Sequence, residues 1–243
     1  MSSAIDAAQD RSRSQPVLLS WSGGKDSALA LARLRRNPAF EVVGLLTTVT
    51  AAYDRISIHG VRRSLLYDQA AALGIQVHEI ILAPQCSNAS YEAAWRHALK
   101  MLPTEMADAR HIAFGDIFLA DVRTYREDMA RAAGYEALFP LWGEPTQSLA
   151  REVVAARFAA RVVCVDTHVL DASFAGNPYD DAFLAALPES VDPCGERGEF
   201  HTFVSAGPGF HTAVRYELGD TVLRDDRFAY CDLIPHPYAA LSR

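Results

Sequence analysis

The sequence has few cysteines and no long apolar run. Its four cysteines lie far apart, with no Cys-x-x-Cys pair, which argues against a zinc ribbon, an iron–sulfur cluster and a disulfide scaffold. No stretch approaches the ~18 consecutive apolar residues of a membrane span, and the first fifteen residues lack the apolar core of a signal peptide. We therefore expect a soluble cytoplasmic protein whose four cysteines are ordinary buried thiols: Cys86, Cys164, Cys194 and Cys231.

Lysine is also scarce. Lys25 and Lys100 are the only lysines beside 21 arginines, and the formal net charge is -7. An acidic chain does not present the broad basic surface that binds nucleic acids or anionic membranes, so we expect neither partner. This balance does not exclude a local basic pocket. The preference for arginine is typical of a GC-rich genome.

The chain is long and apolar enough, at 243 residues and 50% hydrophobic, to bury a full core. Over residues 16–165, apolar runs alternate with helical patterns and end in the run RVVCVD. This alternation predicts an α/β domain with a doubly wound parallel sheet covered on both faces. Over residues 166–243, short segments rich in Gly, Pro and Asp predict a small C-terminal α+β lobe with antiparallel strands. Residues 1–15 are expected to form a disordered tail.

An apolar strand runs directly into a glycine-containing loop in the stretch VLLSWSGGKDSALALARL, residues 17–34. A strand-to-helix turn of this kind exposes backbone N–H groups at the positive end of a helix, where a phosphate can bind. The spacing does not fit two common phosphate loops. Lys25 is followed by Asp26 where the Walker loop has Ser or Thr, and no third glycine completes a dinucleotide fingerprint. The structural alternative is a tight turn with a solvated Lys–Asp pair.

The segment SGGKDS, placed after a buried strand, resembles the pyrophosphate loop of the ATP pyrophosphatases, also called adenine nucleotide alpha hydrolases. The resemblance implies a HUP-like fold and cleavage of ATP to AMP and pyrophosphate through an adenylate. It also implies catalytic roles for Lys25, which would neutralise the departing pyrophosphate, and for Asp26, which would help hold magnesium. The loop residues expected to bind ATP are Ser20, Ser22, Gly23, Gly24, Lys25, Asp26 and Ser27.

Three further stretches narrow the resemblance: TTVTAAYDRISIHGVRRSLLYDQAAALG, FGDIFLADVRTYRE and DPCGERGEFHTFVSAGPGF. Together with the loop, they are similar to the diphthine-ammonia ligase family and its bacterial ATP pyrophosphatase relatives, over residues 16–210. The GERGEFHT block is the most distinctive part. The resemblance implies that a carboxylate-bearing acceptor, a small molecule or a protein side chain, is adenylated and then converted to an amide by ammonia or an amine.

Polar residues at the ends of two other predicted strands are candidates for the nucleotide site. We expect Thr47 and His59 to bind ATP, although a strand cap explains Thr47 and a helix cap explains His59 equally well. We assign Gly115 to ATP binding and Asp116 to catalysis, since a carboxylate at this rim can bind magnesium or the ribose.

Three charged residues follow in the next predicted helix. We expect Asp121 to bind magnesium together with Asp26. Arg123 and Arg126 are expected to bind the acceptor, because a guanidinium grips a phosphate or carboxylate with two parallel hydrogen bonds. Surface ion pairs are the alternative role for Arg126.

Hydrogen-bonding side chains are concentrated around two glycines of the predicted lobe. The resemblance implies that this segment closes over the acceptor, whereas a β-turn with exposed acids is the structural alternative. The lobe residues expected to bind the acceptor are Glu196, Gly198, Glu199, His201 and Thr202.

Two other functions stay open: a nucleotide-binding module that senses ATP or AMP without turnover, and a tRNA-modifying adenylating enzyme. The missing cysteine pairs and the acidic charge balance count against the tRNA enzyme. The sequence does not name the acceptor. Diphthine belongs to archaea and eukaryotes, whereas the arginine-rich composition favours a bacterial source and another acceptor. A homo-oligomer is compatible with the sequence.

Overall fold

The structure, a computed structural model, describes residues 14–236. Most of the predicted tail lies outside this range, and Gln15 already belongs to the first strand. The helices are α1 (Lys25–Arg36), α2 (Arg63–Leu73), α3 (Asn88–Lys100), α4 (Ala120–Ala132), α5 (Thr146–Ala155) and α6 (Asp181–Ala186). The strands are β1 (Gln15–Ser20), β2 (Phe40–Thr50), β3 (Arg55–Ile56), β4 (Val77–Leu82), β5 (His111–Ala113), β6 (Glu136–Leu138), β7 (Ala159–Asp166), β8 (Phe200–Ala206), β9 (Tyr216–Arg224) and β10 (Phe228–Pro235).

The first sheet is mostly parallel. Strands β4, β2, β1, β5 and β6 lie side by side and run parallel, and the short β3 pairs antiparallel with the end of β2. Helices cover both faces: Leu31 of α1 and Leu66 of α2 belong to one buried cluster, Trp95 of α3 and Met129 of α4 to another. Burial on both faces explains the nearly continuous apolar strands. The predicted α/β class is confirmed.

The second sheet is antiparallel, in the order β8, β7, β10, β9. The antiparallel strands predicted near the C-terminus are confirmed as β8, β9 and β10. The prediction that the run RVVCVD completes the parallel sheet is wrong, because β7 pairs with β8 and β10 in the second sheet. A short, continuously apolar run indicates a strand buried on both faces, but it does not reveal which sheet that strand joins.

The two sheets share one core. Phe203 and Val204 of β8 belong to the same buried cluster as Leu29 of α1. This packing places β8 beside the loop that joins β1 to α1. Within residues 14–236, no helix combines the length and the apolar character that crossing a membrane requires.

Candidate functional site

The loop between β1 and α1 is held in shape by a buried glutamine. Gly23 has a φ of +78°, a left-handed conformation that favours glycine. Gln69 of α2 donates from Nε2 to the carbonyl oxygens of Gly23 (3.0 Å) and Val204 (2.7 Å). Its Oε1 accepts a hydrogen bond from the Trp21 indole at 2.9 Å. One fully buried side chain therefore joins the loop, helix α2 and strand β8.

Strand β8 also contacts the loop directly. The Val204 N–H donates to the Gly23 carbonyl at 2.8 Å. The Thr202 hydroxyl accepts a hydrogen bond from the Lys25 N–H at 3.0 Å, and so caps the first turn of α1 from another sheet. A Cβ added to Gly24 would lie 3.0 Å from the Thr202 carbonyl oxygen, so Gly24 permits this close approach. The structure places Thr202 against the loop between β1 and α1, and acceptor binding by Thr202 stays a prediction.

The loop presents unpaired backbone donors. Among the residues that the structure describes, the N–H groups of Ser22, Gly23 and Ser27 have no hydrogen-bond acceptor. The Ser22 hydroxyl accepts from the Gly24 N–H at 3.3 Å, and the Ser27 hydroxyl donates to the Gly24 carbonyl at 2.9 Å. Buried N–H groups without a partner are costly, and at the start of a helix they favour an anion.

Lys25 lies inside the protein, with only 1% of its surface exposed. Its Nζ donates to Asp26 Oδ2 at 2.9 Å and to the Cys194 carbonyl oxygen, and it lies 5.6 Å and 5.3 Å from the ring centres of Tyr179 and Phe200. Burial disfavours the ammonium, but the combined attraction of Asp26, Cys194 and Glu196 outweighs it and raises the pKa of Lys25. The Lys–Asp pair forms as the structural alternative expected, but the lysine is not solvated.

Two histidines flank the loop beside Thr202. His59 Nδ1 donates to the Thr202 carbonyl oxygen at 3.1 Å, and the rings of His59 and His201 are 4.7 Å apart. Burial lowers the pKa of His59 to about 4 and that of His201 well below its usual value. Both imidazoles are therefore neutral near pH 7.

Glu196 joins the second lobe to the rim of the first sheet. Its Oε1 accepts hydrogen bonds from the N–H groups of Ile117 (2.7 Å) and Phe118 (3.3 Å), in the loop that follows β5. Burial raises the pKa of Glu196 to about 7, against the effect of these two donors, which favour the carboxylate. The carboxyl group is thus set to exchange a proton near neutral pH.

Glu199 and Gly198 shape the turn that carries Glu196. Glu199 is 5% exposed, and its two oxygens accept from the N–H groups of Asp192 (3.1 Å) and Arg197 (2.9 Å). Gly198 has a φ of +87°, as a tight turn requires. The turn is not a loop of exposed acids, because Glu199 is used within it. Acceptor binding by these two residues stays a prediction.

The segment after β5 approaches the start of α1. A Cβ on Gly115 would lie 3.1 Å from the Asp26 carbonyl carbon, so glycine allows this close approach. Asp116 Oδ2 lies 3.8 Å from Arg126 Nε. Arg126 donates from Nη1 to the Tyr91 hydroxyl at 2.9 Å. Its Nε is buried and has no hydrogen-bond partner among the described residues.

Arg123 and Asp121 lie on the same helix as Arg126 but have different surroundings. Arg123 donates to Glu127 at 2.7 Å and stacks over the rings of Phe139 and Trp142, so its guanidinium is already engaged. Asp121 is exposed. Within the described part of the chain, no three His, Cys, Asp or Glu side chains are grouped to hold a metal ion. Magnesium binding by Asp26 and Asp121 stays a prediction.

Thr47 supports the strand end at the same edge. Its hydroxyl donates to the Trp21 carbonyl oxygen at 2.8 Å, and the side chain is buried. This contact matches the strand-cap alternative. Ser20, the last residue of β1, is half-buried.

Two family models match most of the chain. A family model described as the diphthamide synthase N-terminal domain matches residues 15–137, and one described as the diphthamide synthase C-terminal domain matches residues 145–227. The chain belongs to the diphthamide synthase family. The resemblance to diphthine-ammonia ligases inferred from the motifs is confirmed.

Other comparisons add little. No functionally curated protein matches this member of the diphthamide synthase family. Among solved structures, a predicted subunit of a tRNA methyltransferase from Methanocaldococcus jannaschii is similar at 17% sequence identity with a TM-score of 0.40, over 60% of this chain and 77% of that one.

The diphthamide synthase family uses ATP, which agrees with the phosphate-binding interpretation of the loop. Three residues that bring the site together were assigned no role from the sequence, although Gln69 and Cys194 lie within the family motifs: Gln69, Tyr179 and the Cys194 carbonyl. Gln69 is one residue of an amphipathic helix, and Cys194 was expected only as a buried thiol. Its thiol is indeed buried, and burial raises its pKa to about 12. A backbone carbonyl can serve as a ligand at any residue, so sequence does not mark it.

Proposed function

We propose that the protein is an ATP-dependent ligase that forms AMP and an amide. A carboxylate oxygen of the acceptor attacks the α-phosphorus of ATP, and the bond to the bridging oxygen breaks to release pyrophosphate. Ammonia or an amine then attacks the acyl carbon of the adenylate, loses a proton, and AMP leaves. The observation that carries the proposal is the loop at the start of α1, where unpaired N–H groups lie beside the charged Lys25.

In this proposal, the β- and γ-phosphates bind the free N–H groups of Ser22, Gly23 and Ser27. Lys25 supplies a fixed positive charge, because Cys194 and Asp26 hold its ammonium in one place. A charge that does not have to reorganise stabilises the departing pyrophosphate more than a solvated one does. Alignment and charge neutralisation supply most of the catalysis in phosphoryl chemistry.

Magnesium fits this site as an ion shared with the phosphates. Mg²⁺ commonly binds through one or two carboxylates together with substrate phosphates. Asp26 is the suitable carboxylate, since its side chain is 31% exposed and Lys25 contacts only its Oδ2. A bound Mg²⁺ would neutralise charge on the phosphates.

We assign the acceptor carboxylate to Arg126. The unpaired Nε of Arg126 lies near Asp116. Arg126 belongs to the helix that follows the loop to which Glu196 is hydrogen-bonded. Arg123 is less suitable, because its guanidinium already contacts Glu127 and two aromatic rings. Glu196, with a pKa of about 7, is suited to accept the proton that the amine loses when the amide forms.

Pyrophosphate–ATP exchange tests the adenylation step. The protein is incubated with ATP, Mg²⁺ and labelled pyrophosphate against a carboxylate library, and ammonium is added in a second series to detect amide and AMP. The expected result is exchange that depends on one class of carboxylate, with inhibition by ATP carrying a methylene α–β bridge. ADP and inorganic phosphate as primary products would refute the mechanism.

Two matched pairs of variants locate the site. Lys25→Met should lower exchange by about 10²- to 10³-fold, whereas Lys100→Met, at the other lysine, should leave it unchanged. Arg126→Lys should raise KM for the acceptor with little effect on KM for ATP, and Arg123→Lys should change neither. Circular dichroism checks each fold, since Lys25 is buried.

The same assay separates the alternatives. ATP binding by calorimetry with no exchange for any carboxylate would favour the nucleotide-sensing module. Exchange or AMP formation that requires tRNA, and weakens steeply with salt, would favour the tRNA-modifying enzyme.

A further inference from the structure

Strand β9 forms an outer edge of the second sheet. It pairs with β10 on one side, and no described strand pairs with its other side. Leu218 and Leu223 are 51% and 55% exposed. A nine-residue edge strand with exposed apolar side chains offers a row of unpaired backbone groups to another chain.

A bulge determines which face each side chain occupies. Thr221 lies opposite Cys231, but Leu218 lies opposite Leu233, so β9 has one more residue than β10 between these pairs. Leu218, Thr221 and Leu223 therefore share one face. This is the core face, because their partners Leu233, Cys231 and Ala229 are buried. Glu217 and Arg224 lie on the opposite face.

We propose that two copies of the chain pair antiparallel through β9, about a two-fold axis at Thr221. If the bulge is counted as one position, Thr221 of each copy lies directly opposite Thr221 of the other copy. This register also sets Leu218 opposite Leu223 of the second copy, and Glu217 opposite Arg224. The two sheets become one eight-stranded sheet, and the half-exposed leucines continue its core.

Charge complementarity favours this register over the one with its axis at the next residue. Moving the axis one position to Val222 places Arg224 opposite the bulge and removes the Glu217–Arg224 pair. Directly opposite charges stabilise a strand pair and like charges destabilise it. Glu217 already contacts His236 at 3.0 Å but is 67% exposed. Arg224 forms no ion pair within residues 14–236, so a second copy can supply one.

The pairing leaves the nucleotide site open. Strand β8, which contacts the loop after β1, is at the other edge of the second sheet. The two sites of the dimer would therefore face away from the two-fold axis. This inference does not depend on the proposed ligase activity.

Sedimentation velocity from 1 to 100 µM tests the oligomeric state of the full chain. The parent protein should sediment as a dimer, and Arg224→Glu should weaken dimerisation by at least about ten-fold, since it sets two like-charged pairs across the axis. The double variant Glu217→Arg/Arg224→Glu restores opposite charges and should recover the dimer. Arg131→Glu, the same charge change on exposed α4, is the control. A monomeric parent protein, or a dimer that Arg224→Glu leaves intact, would overturn the proposal.

Cysteine cross-linking tests the register. In the double variant Leu218→Cys/Leu223→Cys, each new thiol faces one from the second copy at a distance that allows a disulfide. Each single variant is the matched control, because its two equivalent thiols are about four strand positions apart, or roughly 13 Å. Mild oxidation should cross-link the double variant and neither single variant. Equal cross-linking of a single variant, or none in the double variant, would refute the register.

Discussion

Replacing Glu196 with Gln should make the protein more stable than the wild type as the pH rises. Glutamine resembles the protonated carboxyl and keeps an oxygen that can accept from the Ile117 N–H. Burial raises the pKa of Glu196 from 4.5 to about 7. Between these values the unfolded chain loses the proton while the folded protein keeps it. The contribution of the protonated carboxyl to the free energy of unfolding is therefore at its full value below pH 4.5, and it is lost as the pH rises to about 7.

The size of this effect follows from the two pKa values. A difference of about 2.5 pH units, at 1.36 kcal/mol each, gives roughly 3 kcal/mol. This is an upper value, because water screens a carboxyl that is only partly buried. The gap in unfolding free energy between Glu196→Gln and wild type should grow by up to about 3 kcal/mol from pH 4.5 to pH 7.5, and then stay constant.

Urea unfolding, followed by circular dichroism at half-unit steps from pH 4.5 to 8.5, measures this gap. Glu189→Gln, at an exposed glutamate, removes the same charge and should show no comparable trend. A gap for Glu196→Gln that does not change with pH would refute the reasoning, since the folded and unfolded pKa values of Glu196 would then be equal.

Three further outcomes test the contacts around the loop. Thr202→Val leaves the buried Lys25 N–H without its acceptor and should cost about 1–3 kcal/mol in urea unfolding, whereas Thr202→Ser should cost much less. Gly23→Ala forces alanine into a left-handed conformation with its Cβ 2.8 Å from Gln69 Oε1; it should cost at least about 1–2 kcal/mol and weaken ATP binding by calorimetry. Burial raises the pKa of the Cys194 thiol to about 12, so iodoacetamide at pH 8 should modify it only in urea, as measured by peptide mass spectrometry.

The loop was predictable because its chemistry is local. Two glycines followed by Lys25, between an apolar strand and an amphipathic helix, require a strand-to-helix turn with N–H groups at the helix start. The alternation of strands and helices around the first sheet was predictable for the same reason. A strand that is buried on both faces has a nearly continuous apolar sequence. The family was also predictable, since its motifs are contiguous in the chain.

Only the packing of the two sheets decided how the loop residues are used. Lys25 is held by the Cys194 carbonyl, 169 residues away, and its N–H by Thr202, 177 residues away. Neither contact produces a periodic pattern in the sequence, because each depends on how β8 and the turn before it pack against α1. The sheet to which β7 belongs could not be predicted for the same reason, because an apolar run indicates that a strand is buried but not which strand it pairs with. The sequence by itself therefore determined the glycine-containing strand-to-helix loop and the strands, whereas tertiary packing buried Lys25 and joined the second lobe to that loop.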